Sequence, residues 1–196
     1  MEQRSTDTKA HILATGRRLT AKSGYAGVGL NELLKEAGVP KGSFYHYFAS
    51  KEAYGIALLG DFAEDYQRKL VETLDHPGKD ARSRFVAYFT QWRKHQTSDV
   101  PEERCLVVKL SAEVADLSPG MSQVLEKSVQ SIIDHLAATL KEGIADGSIG
   151  KHERSKELAA TIYYLWLGAS LVSGLSGNKT ALSSALKATR EMLPPP

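Results

Sequence analysis

The chain of 196 residues has little cysteine, and its six histidines form no recognisable metal-binding pattern. Its one cysteine, Cys105, excludes an internal disulfide framework. The histidines show no metal-ligand spacing with cysteine or with paired carboxylates. Cys105 also has no histidine near it in sequence, because His95 precedes it across a proline-containing loop, so a nucleophile activated by a neighbouring base is not indicated. We therefore expect no enzymatic activity, no metal and no cofactor.

Long apolar runs are also scarce. Met1–Lys9 is polar and charged and lacks the apolar core of a secretory signal, so we expect a cytoplasmic location. The most apolar stretch, Leu158–Leu175, contains two tyrosines, a tryptophan and two glycines. It is long enough to be mistaken for a membrane span, but we interpret it as a buried helix because nothing else in the chain is typical of a membrane protein.

The charges are distributed unevenly along the chain. The net charge is only +2, yet residues 1–51 carry eight Lys or Arg against four Asp or Glu. The remainder carries seventeen against nineteen. A basic N-terminal third favours a polyanionic partner for that part of the chain.

Apolar residues recur at helical spacing throughout, and no alternating strand pattern stands out, which predicts an all-α protein. The first helix is expected to pack through Ala10, Ile12, Leu13, Ala14 and Leu19. Nine helices are predicted from the periodicity and from start and stop signals, at about Thr6–Ser23, Leu30–Ala37, Lys41–Phe48, Ser50–Leu74, Asp80–Thr97, Cys105–Val114, Met121–Asp146, Glu153–Leu175 and Thr180–Met192.

Gly38 and Pro40 separate the second and third predicted helices. Gly38 allows a chain reversal and Pro40 prevents a simple continuation of the second helix. Phe44 and Phe48, four residues apart, are expected to face inward. The positions around them carry an ammonium, a hydroxyl, phenols and an imidazole, which can bind phosphates and base edges. This pattern predicts a helix-turn-helix with its second helix in the major groove. The DNA contacts predicted from this pattern are Lys41, Gly42, Ser43, Tyr45, His46, Tyr47 and Lys51.

The segment Gly38–Glu52 closely resembles the TetR family of transcriptional regulators, which carry the pattern Gly-Val-(Ser/Pro)-Lys-Gly-(Ser/Thr)-(Phe/Leu)-Tyr-x-(His/Tyr)-Phe-x-(Ser/Asn)-Lys-Glu at this point. The resemblance implies a homodimer that binds a palindromic DNA operator. It also implies a three-helix DNA-binding domain, residues 1–51, and a larger helical sensing and dimerisation domain, residues 52–196. One departure is Gly29, where the family commonly has a Thr or Ser that caps the second helix and contacts phosphate. By this resemblance Gly29 and Asn31 are further predicted DNA contacts, Gly29 through its backbone N–H and Asn31 through its side chain.

Cys105 and the residues after it resemble the NemR-type subgroup of these repressors, which respond to electrophiles and oxidants through a cysteine at the matching place. A thiol at a helix N-terminus, beside Arg104 and one turn from Lys109, is expected to have a lowered pKa and therefore more reactive thiolate. The alternative is that Cys105 is a small buried residue that fills a gap in the core.

The C-terminal part also admits a noncovalent inducer, so a repressor released by a bound small molecule stays open as a second function. The candidate pocket residues are Phe89, Trp92, Lys109, His135, Tyr163 and Trp166, although the aromatic members are equally suited to a core. The last two helices are rich in Leu, Ala and Gly, which predicts a homodimer contact through a four-helix arrangement.

Overall fold

The computed structural model describes the backbone of residues 2–196 and the side chains from residue 7 onwards, so most of the polar segment Met1–Lys9 lies outside the described side chains. Within this range the chain forms nine α-helices and no strand, which confirms the predicted all-α class. The helices are α1 Glu2–Ser23, α2 Leu30–Ala37, α3 Lys41–Tyr47, α4 Lys51–Leu74, α5 Ala81–Gln96, α6 Leu106–Leu117, α7 Pro119–Ala145, α8 Ser155–Ser176 and α9 Thr180–Met192.

The helix boundaries differ from prediction at the start of α1, which begins at Glu2 and not at Thr6, and around α6. This helix begins after Cys105 and runs to Leu117, and a short 3-10 turn, Pro101–Glu103, precedes it. Cys105 is therefore the N-cap residue, with an extended backbone, and not the first residue of the helix. By contrast, the predicted bounds of α2 and α9 agree with the structure, because glycine and proline signals are local and unambiguous there.

The chain divides into two compact units. Unit 1 comprises Met1–Asp65 with Asp99–Lys127, and unit 2 comprises Tyr66–Ser98 with Ser128–Pro196. Two long helices, α4 and α7, contribute residues to both units. The helix that follows Cys105 thus belongs to the same compact unit as α1–α3, whereas the predicted domain boundary between residues 51 and 52 stays a prediction.

The core of unit 1 is built on one face of α1 and on an aromatic cluster. Phe44, Phe48 and Tyr54 pack together with ring centroids 5.1–5.4 Å apart. On α1 the predicted packing of Ala10 and Ala14 is wrong, because both are exposed. The buried face follows spacings of three and four and includes polar and small residues that an apolar pattern does not register. Its members are Ile12, Leu13, Thr15, Gly16, Thr20 and Ala21.

The turn between α2 and α3 is compact because Gly38 adopts a left-handed conformation, with φ of 63°. Its N–H donates to the carbonyl of Lys35, and the N–H of Val39 donates to the carbonyl of Leu34, so the last carbonyls of α2 are satisfied. Pro40 then serves as the N-cap of α3. This geometry agrees with the predicted helix-turn-helix.

The core of unit 2 contains a group of buried aromatic rings on α5 and α8. Phe89 and Trp166 stack with centroids 5.0 Å apart, and Trp92 meets Tyr163 edge to face at 5.5 Å. Both indole N–H groups are satisfied in this interior. Trp92 donates to the Ser170 hydroxyl at 2.9 Å, and Trp166 donates to the Thr189 hydroxyl at 2.8 Å.

Helix α8 is long and apolar enough, by length and composition alone, to cross a membrane. A core helix of a soluble protein passes the same test, and α8 has a buried side carrying Tyr163 and Trp166. Its other side exposes large apolar groups at spacings of three, four and seven. These are Tyr164, Leu165, Leu171, Val172 and Leu175.

Candidate nucleic-acid interface and thiol site

Helix α3 separates its packing residues from its polar ones. Phe44 and Phe48 are buried in unit 1, as predicted. Four of the predicted contact residues on this segment are exposed, and two are half-buried. The exposed ones are Lys41, Gly42, Tyr45 and His46, and the half-buried ones are Ser43 and Tyr47. Donors and rings of different shape therefore lie along one accessible helix surface, as major-groove recognition requires.

Two glycines of unit 1 have no internal packing reason to be glycine. A Cβ placed at Gly42 or Gly29 would meet no atom within 4 Å. Both residues are exposed, and Gly29 is the N-cap of α2 with an ordinary extended backbone and no side-chain cap. Asn31 is also exposed. The open space leaves the backbone at both glycines accessible to a close ligand.

Lys51 places an ammonium group at the start of α4, where hydrogen bonds to Ser50 and Tyr25 order the backbone. The Ser50 hydroxyl accepts a hydrogen bond from the N–H of Ala53 at 3.0 Å, so Ser50 is the N-cap of α4. Lys51 is exposed, and its ammonium lies 5.3 Å from the ring centroid of Tyr25. The Tyr25 hydroxyl donates to the Lys51 carbonyl at 2.6 Å. A lysine at a helix N-terminus is well suited to bind phosphate.

Tyr25 was not predicted as a site residue, although it connects the loop after α1 with α6 and with the start of α4. Its ring is buried, and burial, with the nearby carboxylates of Glu52 and Glu113, raises the pKa of its hydroxyl to about 12. The hydroxyl is therefore protonated at neutral pH and remains a hydrogen-bond donor. Its partners are 26 and 88 residues away in sequence, so no local pattern could have identified this role.

Cys105 lies at the N-cap of α6 and is 7% exposed. The backbone N–H groups of Val107 and Val108 point at the sulfur and favour the thiolate, as expected at a helix start. Burial acts in the opposite direction and is the larger effect, so the pKa of the Cys105 thiol is raised from its ordinary value. The predicted lowering of this pKa is therefore wrong, because the sequence does not reveal how completely the sulfur is desolvated.

Lys109 does not provide the activating charge that was expected for Cys105. Its ammonium donates a 3.0 Å hydrogen bond to the carbonyl of Lys22, at the C-terminal end of α1. One turn further along α6, the Glu113 carboxylate accepts hydrogen bonds from the backbone N–H groups of Tyr25 and Ala26. Helix α6 is thus bound directly to the end of α1 and to the loop before α2.

The predicted pocket residues fall in both units. Phe89, Trp92, Tyr163 and Trp166 are all in unit 2, where their rings contact one another directly, while Lys109 belongs to unit 1. His135, also in unit 2, pairs through Nδ1 with the Gln67 amide at 3.1 Å. Unit 2 also has an open surface cavity of about 310 Å³ whose lining was not predicted. It includes Lys69, His76, Lys79, Arg84 and His95.

Comparison with known proteins identifies the family. Residues 12–53 match the model of bacterial regulatory proteins of the tetR family, and residues 81–189 match the tetracyclin repressor-like C-terminal domain. The chain belongs to the TetR family. It is 39% identical over 190 residues to the HTH-type transcriptional repressor NemR of Escherichia coli strain K12, covering 97% of this chain and 96% of that protein.

Two further TetR-family similarities extend over nearly the whole chain. The crystal structure of the reduced form of E. coli NemR matches with a TM-score of 0.92 and 39% identity over 97% of this chain and 98% of that one. The HTH-type transcriptional repressor DhaR of Mycobacterium sp. strain GP1 is 28% identical over 97% of this chain and 94% of its own length. TetR-family members are regulators rather than enzymes, bind DNA operators and are typically dimers. The present chain is therefore a NemR-like transcriptional regulator with a TetR-type DNA-binding domain.

Proposed function

We propose that this cytoplasmic protein represses transcription from a palindromic operator and leaves it when a reactive electrophile or an oxidant modifies Cys105. The observation that carries the proposal is the position of this cysteine. It is the N-cap of α6, and α6 is hydrogen-bonded to α1 and to the loop before α2 within the unit that contains the recognition helix. A change at Cys105 therefore acts on the DNA-binding part through direct contacts.

The DNA-binding half of the proposal rests on the exposed residues of α3 and on the N-terminus of α4. Lys41, Tyr45 and His46 are accessible to base edges and phosphates, while Lys51 binds a phosphate at the start of α4. Ser43 and Tyr47 flank this surface, and Gly42 lets the backbone approach the duplex. Gly29 and Asn31 provide a backbone or amide contact at the start of α2.

The sensing half follows from limited space around the sulfur. An enone or quinone adds when Sγ bonds to its β-carbon and the thiol proton ends on the electrophile, whereas a peroxide transfers one oxygen to Sγ and is itself reduced to water or an alcohol. Either product is larger than the thiol in a site that is already buried and close-packed. The start of α6 must then move. The raised pKa means that reaction proceeds through a small thiolate fraction or a transient opening.

The crystal structure of E. coli NemR, which is 39% identical to this chain, is that of its reduced form, and this supports a redox response. Cys105 is the one thiol in the present chain through which a reduced and an oxidised form could differ. A single cysteine per chain leaves an adduct, a sulfenic acid and its derivatives, or a bond between subunits as the modification.

The second candidate is a repressor released by a noncovalent inducer, and the observation that favours it is the burial of Cys105 with its raised pKa. Covalent and noncovalent release are distinguished by whether release is reversed when the compound is removed. A noncovalent inducer is lost on dilution, and its effect survives replacement of Cys105. A covalent adduct persists after the compound is removed.

Dimerisation is assigned to the exposed apolar side of α8 together with α9. Tyr164, Leu171 and Leu175 are 57%, 55% and 82% exposed, and contiguous exposed apolar residues mark an interaction surface. Their spacing forms one continuous stripe, which suits an isologous contact between two copies.

The decisive experiment combines operator binding with intact mass. A duplex is first selected from a random pool by the purified protein, and its binding is then followed by fluorescence anisotropy before and after brief exposure to p-benzoquinone or hydrogen peroxide. We expect one adduct or one added oxygen per chain, together with release of the duplex. Cys105→Ser should retain the duplex under both treatments. Equal release of wild type and Cys105→Ser would refute the sensing role of Cys105.

A further inference from the structure

Helix α6 is joined to other elements of unit 1 by polar side chains along its length and at its C-cap. Lys109 donates to the Lys22 carbonyl at 3.0 Å, and Glu113 accepts from the N–H groups of Tyr25 and Ala26. At the end of α6, the Ser118 hydroxyl donates to the Glu52 carboxylate at 2.6 Å. Each of these hydrogen bonds joins residues at least 66 positions apart in sequence.

The Glu113 carboxylate binds two backbone N–H groups of the loop between α1 and α2. One carboxylate oxygen lies 3.2 Å from the Tyr25 nitrogen, and the other accepts from Ala26. Gly24 beside it has φ of 78°, and a Cβ at this position would come within 2.9 Å of a Glu113 oxygen. The loop backbone is therefore shaped to receive this carboxylate, and charge-assisted bonds of this kind are about twice as strong as neutral ones.

Tyr25 carries the constraint from this loop to the start of α4. Its backbone is held by Glu113, while its hydroxyl donates to the Lys51 carbonyl and its ring lies beneath the Lys51 ammonium. The backbone N–H of Tyr25 is thus bonded to α6, and its side chain contacts Lys51, the lysine proposed to bind phosphate. A displacement of Glu113 is transmitted to Lys51 through a rigid aromatic side chain.

We propose that Glu113, acting through Tyr25, is a positioning residue that sets Lys51 for its contact with a DNA phosphate, and that Lys109, one turn before Glu113, holds α6 in register with the end of α1. This inference rests on the proposed function in one respect, namely that Lys51 contacts DNA. It concerns the unmodified protein and does not depend on any reaction of Cys105.

The same contacts connect Cys105, the proposed sensor, to the DNA-binding elements. Lys109 and Glu113 follow Cys105 by four and eight residues, so they lie one and two turns along the helix that the cysteine caps. A shift at the N-terminus of α6 moves both side chains along the helix axis. The loop before α2 and the start of α4 then lose their fixed relation.

The sign of the effect on DNA binding separates positioning from simple electrostatics. Replacing Glu113 by Gln removes a negative charge, and charge alone predicts tighter binding to a polyanion. The proposal predicts the opposite, because an amide offers a single acceptor oxygen and leaves one backbone N–H unmatched. Glu113→Asp retains the charge but is one methylene shorter, so it tests reach without altering charge.

The test uses the full-length dimer and the duplex selected by wild-type protein, without electrophile. We expect Glu113→Gln and Glu113→Asp each to weaken binding about tenfold, as the loss of one charge-assisted bond would. The matched control is Glu126→Gln, an exposed carboxylate on α7 in the same unit, which should bind as tightly as wild type or slightly tighter. Circular dichroism and thermal melting show whether each variant is folded.

The double-mutant cycle with Lys51→Ala identifies the route. In the Lys51→Ala background, Glu113→Gln should weaken binding by less than about twofold, because the group it positions is already absent. The salt dependence of Glu113→Gln should also fall, by about 0.9 in logarithmic slope for each phosphate that the protein no longer neutralises. Unchanged or tighter binding by Glu113→Gln, or an undiminished effect in the Lys51→Ala background, would overturn the proposal.

The two proposals fail in different ways. Release of Cys105→Ser by p-benzoquinone would remove the thiol from the mechanism and leave the Glu113 result intact. Failure of the wild-type protein to select any duplex would overturn DNA binding and the positioning role together. A folded Glu113→Asp variant with wild-type affinity would overturn the positioning role alone.

Discussion

The Tyr54 hydroxyl occupies the space beside Gly16 that any larger residue would need. A Cβ at position 16 would overlap the Tyr54 oxygen and would lie 2.9 Å from the ring carbon that bears it. Tyr54 is only 3% exposed and belongs to the aromatic cluster of α3 and α4. Gly16 is therefore required by a close approach of α1 to α4, and its backbone conformation is ordinary helix.

Gly16→Ala is accordingly expected to destabilise the protein, although alanine favours helix. The overlap forces a shift in a packed core, which costs about 1–3 kcal/mol in the free energy of unfolding. Urea unfolding followed by circular dichroism measures the loss. The partner variant is Gly16→Ala with Tyr54→Phe, which removes the overlapping oxygen and should recover part of the stability. An alanine variant as stable as wild type would contradict the close approach.

Thr189 is expected to be required for its hydroxyl. It is fully buried, accepts the indole N–H of Trp166 at 2.8 Å and donates to the Ala185 carbonyl. Thr189→Val keeps the shape but leaves the buried indole N–H unmatched, so the free energy of unfolding should fall by about 1–3 kcal/mol. Thr189→Ser, which retains the hydroxyl, is the matched control and should lose less. The comparison is made from denaturant midpoints, and equal losses would show that the hydroxyl contributes nothing.

The reactivity of Cys105 should increase with pH beyond the range in which an exposed thiol levels off. Burial raises its pKa above the ordinary value of 9.0, so the thiolate fraction, and with it the alkylation rate, is still rising with pH at pH 9. Iodoacetamide labelling followed by intact mass between pH 7 and 10 measures this rate, and Cys105→Ser corrects for other sites. A plateau below pH 9 would be inconsistent with a desolvated thiol.

The raised pKa of Cys105 also affects stability. The folded-state pKa lies above the unfolded value, so the contribution from the neutral thiol is fully present below about pH 9 and is lost as pH rises through the folded pKa. Cys105→Ser should therefore show a weaker loss of stability between pH 8 and 10 than wild type.

The exposed stripe of α8 should determine the oligomeric state. Leu171→Glu places a charge in the proposed dimer contact, where burial of an unpaired carboxylate costs several kcal/mol. We expect a folded monomer with weakened operator binding. Gln123→Glu adds the same charge at an exposed position of α7 in unit 1 and should remain dimeric. Sedimentation equilibrium distinguishes the two, and a Leu171→Glu dimer as tight as wild type would place the contact elsewhere.

Much of the DNA-binding segment could be predicted because its signals are local. Gly38 caps the end of α2 and Pro40 caps the start of α3 within three residues, and the spacing of Phe44 and Phe48 alone places them on one helix face. The family resemblance carried by Gly38–Glu52 was confirmed by the match over residues 12–53. The identities of the individual DNA contacts stay predictions.

The same local rules failed where the outcome depended on distant neighbours. Ala10 and Ala14 were predicted to pack, yet both are exposed, and the buried face of α1 includes Gly16 and Thr20. Gly16 lies against Tyr54 of α4, a neighbour that is distant in sequence. Lys109 was expected to help lower the pKa of Cys105, whereas its ammonium is bound to a carbonyl at the end of α1.

By itself, the sequence determined an all-α TetR-family regulator, the position of its recognition helix and the place of its one thiol, because helix periodicity, turn chemistry and a contiguous motif are encoded in neighbouring residues. Only the tertiary structure decided that Cys105 is desolvated, which reversed the expected direction of its pKa. It alone also brought Glu113 to Tyr25 across 88 residues. Desolvation and long-range hydrogen bonds depend on which surfaces meet in three dimensions, and no local pattern specifies that.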